Sequence, residues 1–245
     1  SPITFKNYPG ETVTISDVNS QAILVVGRSY LIIEGLVVNS VLSFGRLEDS
    51  DHIIVRKITF SNSTGSGTTS GLKLLRGGYH QITENNISGA ADNMTVIASD
   101  HNLFLNNTYG VSSHSLLTIR CGNYNVVRGN TFSNPNQKSG EVYDCEGSSS
   151  DAPIIYNDTH FNLWEDNRFT KTLASDAPHR YNGIQFAGQR GIARRNVFYG
   201  NDGGAINLQN YANEASINHS NRIYHNTFYA NRCYGISSSG NSTTA

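Results

Sequence analysis

The sequence predicts an all-β solenoid of about nine coils with three short strands per coil, and two columns of residues in one register predict it. The first column, each member followed two positions on by an apolar residue, reads Leu36/Val38, Ile58/Phe60, Asn85/Ile87, Asn107/Tyr109, Asn130/Phe132, Asn167/Phe169, Asn196/Phe198 and Asn226/Phe228. Three residues before each first member stands Ile33, Val55, Ile82, Phe104, Val127, Trp164, Ala193 or Ile223, so the second column is apolar at every level. Successive copies lie 22, 27, 22, 23, 37, 29 and 30 residues apart, the period of a repeat array and not of a single globular core.

An Asn closely flanked by apolar residues marks a strand that bends there and continues, because Asn tolerates the left-handed backbone of a sharp turn. Stacked carboxamides can then bond from coil to coil. The third strand of each coil precedes these two: Leu72-Lys73-Leu74, Met94-Thr95-Val96, Leu117-Thr118-Ile119, Val142-Tyr143-Asp144, Ile184-Gln185-Phe186, Ala205-Ile206-Asn207-Leu208 and Gly235-Ile236-Ser237. Alternation sends Leu72, Leu74, Leu117 and Ile119 inward. It leaves Lys73, Thr95, Thr118, Tyr143, Gln185, Asn207 and Ser237 on one continuous outer face. At the start, Ile3/Phe5 and Val13/Ile15 around Pro9-Gly10 form a first coil, and the apolar stretches 22–26 and 31–38 form the next. The expected organisation is one elongated domain, 1–245, with 1–30 as first coil and cap region and 234–245 as last partial coil and tail.

An apolar fraction of 37% suits a narrow solenoid interior better than a compact core. A net charge of −1 offers no general attraction to nucleic acid or to an anionic membrane. No run of about 18 apolar residues is present. The opening SPITFKN reads as a trimmed or processed end without a leader. Of three cysteines, Cys121 and Cys145 fall in corresponding strands of neighbouring coils, which allows either a bridge or two buried thiols. Sequons such as Asn62-Ser63-Thr64 are expected by composition alone.

The Asn bend hardly changes in length, so the insertions fall at the other two turns: 61–70, 133–139 and 171–181 before the outer-face strand, 146–160 and 210–220 after it. These turns flank the outer face and make it the floor of a loop-walled groove, the usual place for a binding site in a repeat array.

Three short strands per coil, an Asn ladder and loops walling one sheet resemble the right-handed parallel β-helix of the pectate-lyase-like superfamily, over residues 20–240. The resemblance implies three parallel sheets, an extracellular or cell-surface location and a polysaccharide partner. The opening PITFKNYPGETVTI is similar to the first coil of the chondroitinase B and alginate lyase family. In that family the catalytic arginine stands in a strand reading roughly L-x-[LF]-R-H-G, and Leu117-Thr118-Ile119-Arg120-Cys121-Gly122 matches it, which implies a role for Arg120. The family's lysine is replaced by Ala98-Ser99 and a calcium-binding carboxylate by Asn93, so lysine and metal site are expected to be absent. The motifs of the pectin hydrolases are not found.

Elimination from a uronic acid requires a cation for the carboxylate, a base for the adjacent proton and an acid for the leaving oxygen. Arg120, Tyr143, His179 and Arg180 are the candidates for this chemistry, with Lys73, Thr118, Glu141, Gln185, Asn207 and Tyr181 as substrate contacts and Lys138 as a further cation. Hydrolysis would require two carboxylates across the groove, from Glu141, Asp144, Asp151 or Asp202. Asp144, Glu146 and Asp151 gather oxygen ligands for a Ca2+ ion without following a known loop spacing, so no cofactor is fixed. The expected function is a polysaccharide lyase acting on an acidic glycan. The alternatives are a noncatalytic glycan-binding, cell-surface or phage-tail module, the last expected as a trimer, and a glycoside hydrolase.

Overall fold

The computed structural model describes residues 2–67, 70–143, 159–170, 182–186, 188–209 and 219–239. Their strands form three wholly parallel sheets, the architecture predicted. Nine strands lie before the Asn bend, from Ile3–Lys6 to Arg222–Tyr224, and nine after it, from Thr14–Ile15 to Thr227–Tyr229. The third sheet holds the longest strands, from Gln21–Val26 to Tyr234–Ser239, with Ala90–Asp92 paired beside its main path.

Both columns of the sequence are columns in space. Val38, Phe60, Ile87, Tyr109, Phe132, Phe169, Phe198 and Phe228 pair in register along the post-bend sheet, and Ile33 to Ile223 do so along the pre-bend sheet. Rings from Tyr109 to Phe198 stack 4.6–4.7 Å apart, so one aromatic contact repeats with the strand spacing. Phe228 stacks on Phe198 at 5.4 Å and is 36% exposed.

At the bend, the Oδ1 atoms of Asn107, Asn130, Asn167, Asn196 and Asn226 each accept both the backbone N–H and the Nδ2–H of the Asn one coil earlier, at 2.8–3.1 Å. Each donating carboxamide also reaches a carbonyl of the coil before it. The left-handed residue is not the Asn, however. It is its predecessor: Glu84, Asn106, Gly129, Asp166, Arg195 and His225, with φ of 54–66°, and Lys57 before Ile58 does the same at 55°. Asn is chosen for its amide, which satisfies backbone donors and acceptors that the bend buries.

A second ladder escaped the sequence reading. Between the long strands and the pre-bend strands, the backbone N–H of His80 donates to Asn102 Oδ1, Asn102 to Asn125 and Asn125 to Asn162, each at 3.0 Å. His80 stands in this ladder as an asparagine would, its Nδ1 accepting the Ile53 N–H at 3.2 Å. Cys121 is disulfide-bonded and Cys233 is free. Cys145 lies outside the described residues.

Candidate functional site

The outer face of the long-strand sheet carries the candidate site. In register along the sheet stand Arg46, Lys73, Thr95, Thr118, Glu141, Gln185, Asn207 and Ser237. Two positions on, a parallel column reads Glu48, Leu75, Ile97, Arg120 and Tyr143. Tyr143 therefore does not share the Thr118 column, as expected from sequence; Glu141 does. The inward position opposite Leu117 is Gly140, where a Cβ would stand 2.8 Å from the Trp164 ring. The buried indole thus sets a register that a small residue permits and the apolar pattern does not reveal.

The predicted open floor is also corrected. Lys73, Thr118, Glu141, Gln185 and Asn207 are each 3–6% exposed, and Glu141 bonds to both Thr118 and Gln185. Glu141 is the hub. Its carboxylate accepts from Lys138 Nζ at 2.5 Å, Gln185 Nε2 at 3.2 Å, Ser115 Oγ at 3.3 Å and Thr118 Oγ1 at 3.5 Å. A carboxylate taken out of water needs such partners. The structure thus brings together Thr118, Glu141 and Gln185 and adds Lys138. Lys73 and Asn207 lie further along the same column, and half-buried Arg120 stands two residues beyond Thr118, roughly 7 Å along the strand.

Two residues not singled out from sequence complete the cluster. His114 Nδ1 lies 2.7 Å from Asp92 Oδ1, which also accepts the Ser115 N–H at 3.0 Å. The Asp92 side chain is 3% exposed and that of His114 40%. Hydrogen bonding to Asp92 holds the imidazole above its ordinary pKa, against burial. A β-bulge creates the contact: Ala90 pairs with Ser112 but Asp92 with Ser115, so the extra residue on the second strand turns His114 towards Asp92. The one sequence cue is a lone His in a Ser-rich stretch where alternation breaks. Although Ser, His and Asp meet here, Ser115 Oγ and Asp92 both face Nδ1, at 3.2 and 2.7 Å. A serine nucleophile activated through Nε2 is not what this arrangement provides.

Asn93 is fully buried and its Nδ2 donates to the carbonyls of Ile87, Gly110 and Val111, so it braces the turn. His179, Arg180, Tyr181, Asp144, Glu146 and Asp151 lie outside the described residues, as does the side chain of Tyr143. Among the described residues no cluster of three or more His, Cys, Asp or Glu could hold a metal.

The family model for the right-handed β-helix region matches residues 70–245. The chain belongs to this family. Solved β-helices of similar fold include an exopolygalacturonase from Thermotoga maritima, with a TM-score of 0.58 and 14% identity over 84% of this chain and 49% of that one. PfbA, a surface adhesin of Streptococcus pneumoniae, gives 0.55 and 9% identity over 91% and 65%. The catalytic domain of a GH87 α-1,3-glucanase gives 0.51 and 8% over 89% and 49%. This β-helix spans about half to two thirds of the length of these proteins, and at such identities the likeness is one of fold. No curated protein sequence matches it.

Proposed function

We propose that this β-helix is a carbohydrate-active protein, working outside the cell, that takes an acidic glycan across the outer face of the long-strand sheet and cleaves it by β-elimination. One observation carries the reading: a half-exposed imidazole, His114, is backed through Nδ1 by the buried carboxylate of Asp92, beside the Lys138–Glu141 pair. Backing at Nδ1 leaves Nε2 as the proton acceptor. His114 Nε2 takes the proton from the carbon next to the uronate carboxylate. The C–H electron pair becomes a C=C bond, the glycosidic C–O bond breaks, and the departing oxygen takes a proton from water. Lys138 and Arg120 supply positive charge for the substrate carboxylate on either side of Thr118. The names of two fold neighbours, the exopolygalacturonase and the α-1,3-glucanase, support a glycan as the partner.

Hydrolysis fits less well, because Asp92 is bonded to the His114 imidazole and the Ser115 N–H, and Glu141 to Lys138 and two hydroxyls, so both carboxylates are already committed to protein partners. A glycan-holding module without turnover is the second reading, since a surface adhesin shares the fold over most of this chain.

The test is incubation with alginate, polygalacturonate and chondroitin, with and without Ca2+, following both the ultraviolet absorbance of unsaturated uronates and new reducing ends. His114→Gln is expected to lower turnover at least about 100-fold while polymer binding persists. Reducing ends without absorbance would replace elimination by hydrolysis. Binding with neither product would leave the noncatalytic reading standing.

A further inference from the structure

A row of rings runs along the corner where each long strand passes into its pre-bend strand. Tyr30, His52, Tyr79, His101, Tyr124 and Phe161 stack in coil order, centroids 4.8–5.1 Å apart and planes within 24°. The Arg190 guanidinium continues the row, 5.6 Å from the Phe161 centroid. Each of these residues has a left-handed φ of 52–60°, and each backbone N–H donates to a carbonyl one coil on, so the sheets fix the pitch. All six rings are exposed, from 61% for Tyr30 to 39% for Phe161 among those with the largest apolar surface.

The turn itself does not ask for rings. Before the Asn ladder the same left-handed conformation recurs at the same pitch on Gly35, Lys57, Glu84, Asn106, Gly129, Asp166, Arg195 and His225. A non-glycine residue in this conformation costs about 1–2 kcal/mol. A stacked pair returns about 0.5–1.5 kcal/mol, so stacking at best offsets the strain and does not explain a preference for aromatics at one corner alone. Ring faces are covered by neighbours. What the row offers to solvent is a line of edges, the phenols of Tyr30, Tyr79 and Tyr124 alternating with the imidazoles of His52 and His101.

We infer that this row is a binding ledge for a linear glycan laid along the solenoid axis, one sugar per coil. An extended, equatorially linked pyranose chain advances per sugar by nearly the coil pitch, and its two-fold form turns alternate sugars over, as phenol and imidazole alternate here. Recognition is by hydrogen bonds to ring edges. The ledge borders the outer face, since Tyr79 follows the strand Leu72–Gly78 and His101 follows Met94–Asp100. A glycan on it runs parallel to the column from Lys73 to Asn207. The inference rests on the glycan reading above and extends it to a surface that performs no chemistry.

Affinity electrophoresis in gels containing polymannuronate or xylan, both equatorially linked, tests the ledge. The double variant Tyr79→Phe/His101→Phe keeps the stack and removes its polar edges, so folding is preserved. It is expected to bind at least tenfold more weakly, with an unchanged melting temperature, while Lys57→Ser/Glu84→Ser at the other left-handed corner migrates as wild type. In parallel, a hexasaccharide should shift the His52 and His101 imidazole resonances. Retardation of the Phe double variant equal to wild type overturns the ledge alone, and so does equal weakening of both doubles. A wild-type protein that is retarded by no polymer and cleaves none overturns the ledge and the glycan reading together.

Discussion

Replacing His80 by Asn should remove a pH-dependent weakness from the core. The imidazole is fully buried, and it replaces a carboxamide in a ladder otherwise made of Asn102, Asn125 and Asn162. Burial pushes its pKa from 6.5 down to about 4, with Asp51 opposing. The unfolded chain therefore takes up a proton near 6.5 and the fold resists until about 4, so stability falls as pH falls across that window. At 1.36 kcal/mol per unit, the loss amounts to about 3 kcal/mol below pH 4. In His80→Asn the carboxamide oxygen would accept the Ile53 N–H as Nδ1 does now. The smaller side chain costs about 1 kcal/mol at neutral pH, and the variant should become the more stable protein near pH 4.5. Urea unfolding of both proteins at pH 7.5, 6.0, 5.0 and 4.5 reads the difference in midpoints, and other titrating groups cancel in that difference. Hydrogen exchange at the Ile53 N–H reports the same event locally, independent of two-state behaviour. Parallel stability profiles for the two proteins would refute the reasoning.

Three further perturbations follow from the described contacts. Asn130→Ala strips partners from the Asn107 N–H and from the Phe104 carbonyl contact at 2.9 Å. It should cost about 4 kcal/mol in chemical unfolding, and a cost under about 1 would deny the ladder its stabilising role. Gly71→Ala would place a methyl 1.9 Å from Asp92 O and 2.4 Å from Asn93 O; a melting temperature lower by about 10 °C is expected, together with a His114 pKa drawn back towards its ordinary value by NMR titration. Glu165 is held by Arg128, Arg194 and Arg195 at 2.5–2.8 Å. Burial pushes its carboxyl up, but the Arg194 and Arg128 hydrogen bonds outweigh this and leave it below the ordinary carboxylate value. Its contribution is therefore present at neutral pH and disappears as pH falls through the folded pKa. Since the arginines are 31–48% exposed, Glu165→Gln should cost only about 1–2 kcal/mol at neutral pH and nothing in strong acid.

The fold was legible because each coil repeats residue types whose reasons are geometric: Asn for its amide at the bend, and an apolar or aromatic residue wherever the interior repeats. The site was legible only in part. Of the candidates, Thr118 and Gln185 share the strand position of the repeat as read, whereas in the coil between them that position was given to Tyr143 and the pairing puts Glu141 there. Asp92 and His114 were missed because the bulge that joins them breaks the alternation on which the reading depended. Tyr143 was misplaced because Gly140, and not the apolar pattern, sets the register beside Trp164. The ring row carried a signal that could have been used: positions 30, 52, 79, 101, 124 and 161 are spaced 22, 27, 22, 23 and 37 apart, the same intervals as the Asn column.

The Asn ladder is indifferent to how much chain lies between its rungs. Asn107 and Asn130 are 23 residues apart and Asn130 and Asn167 are 37 apart, yet the amide contacts are 3.0 and 3.1 Å. Fourteen residues (37 − 23) have thus entered one coil without displacing a rung. Such a frame separates two kinds of evolutionary change. Substitution within the columns is policed by the stack above and below, whereas length at the flanking corners can drift freely. A lineage can therefore change the length of these corners while inheriting the frame intact.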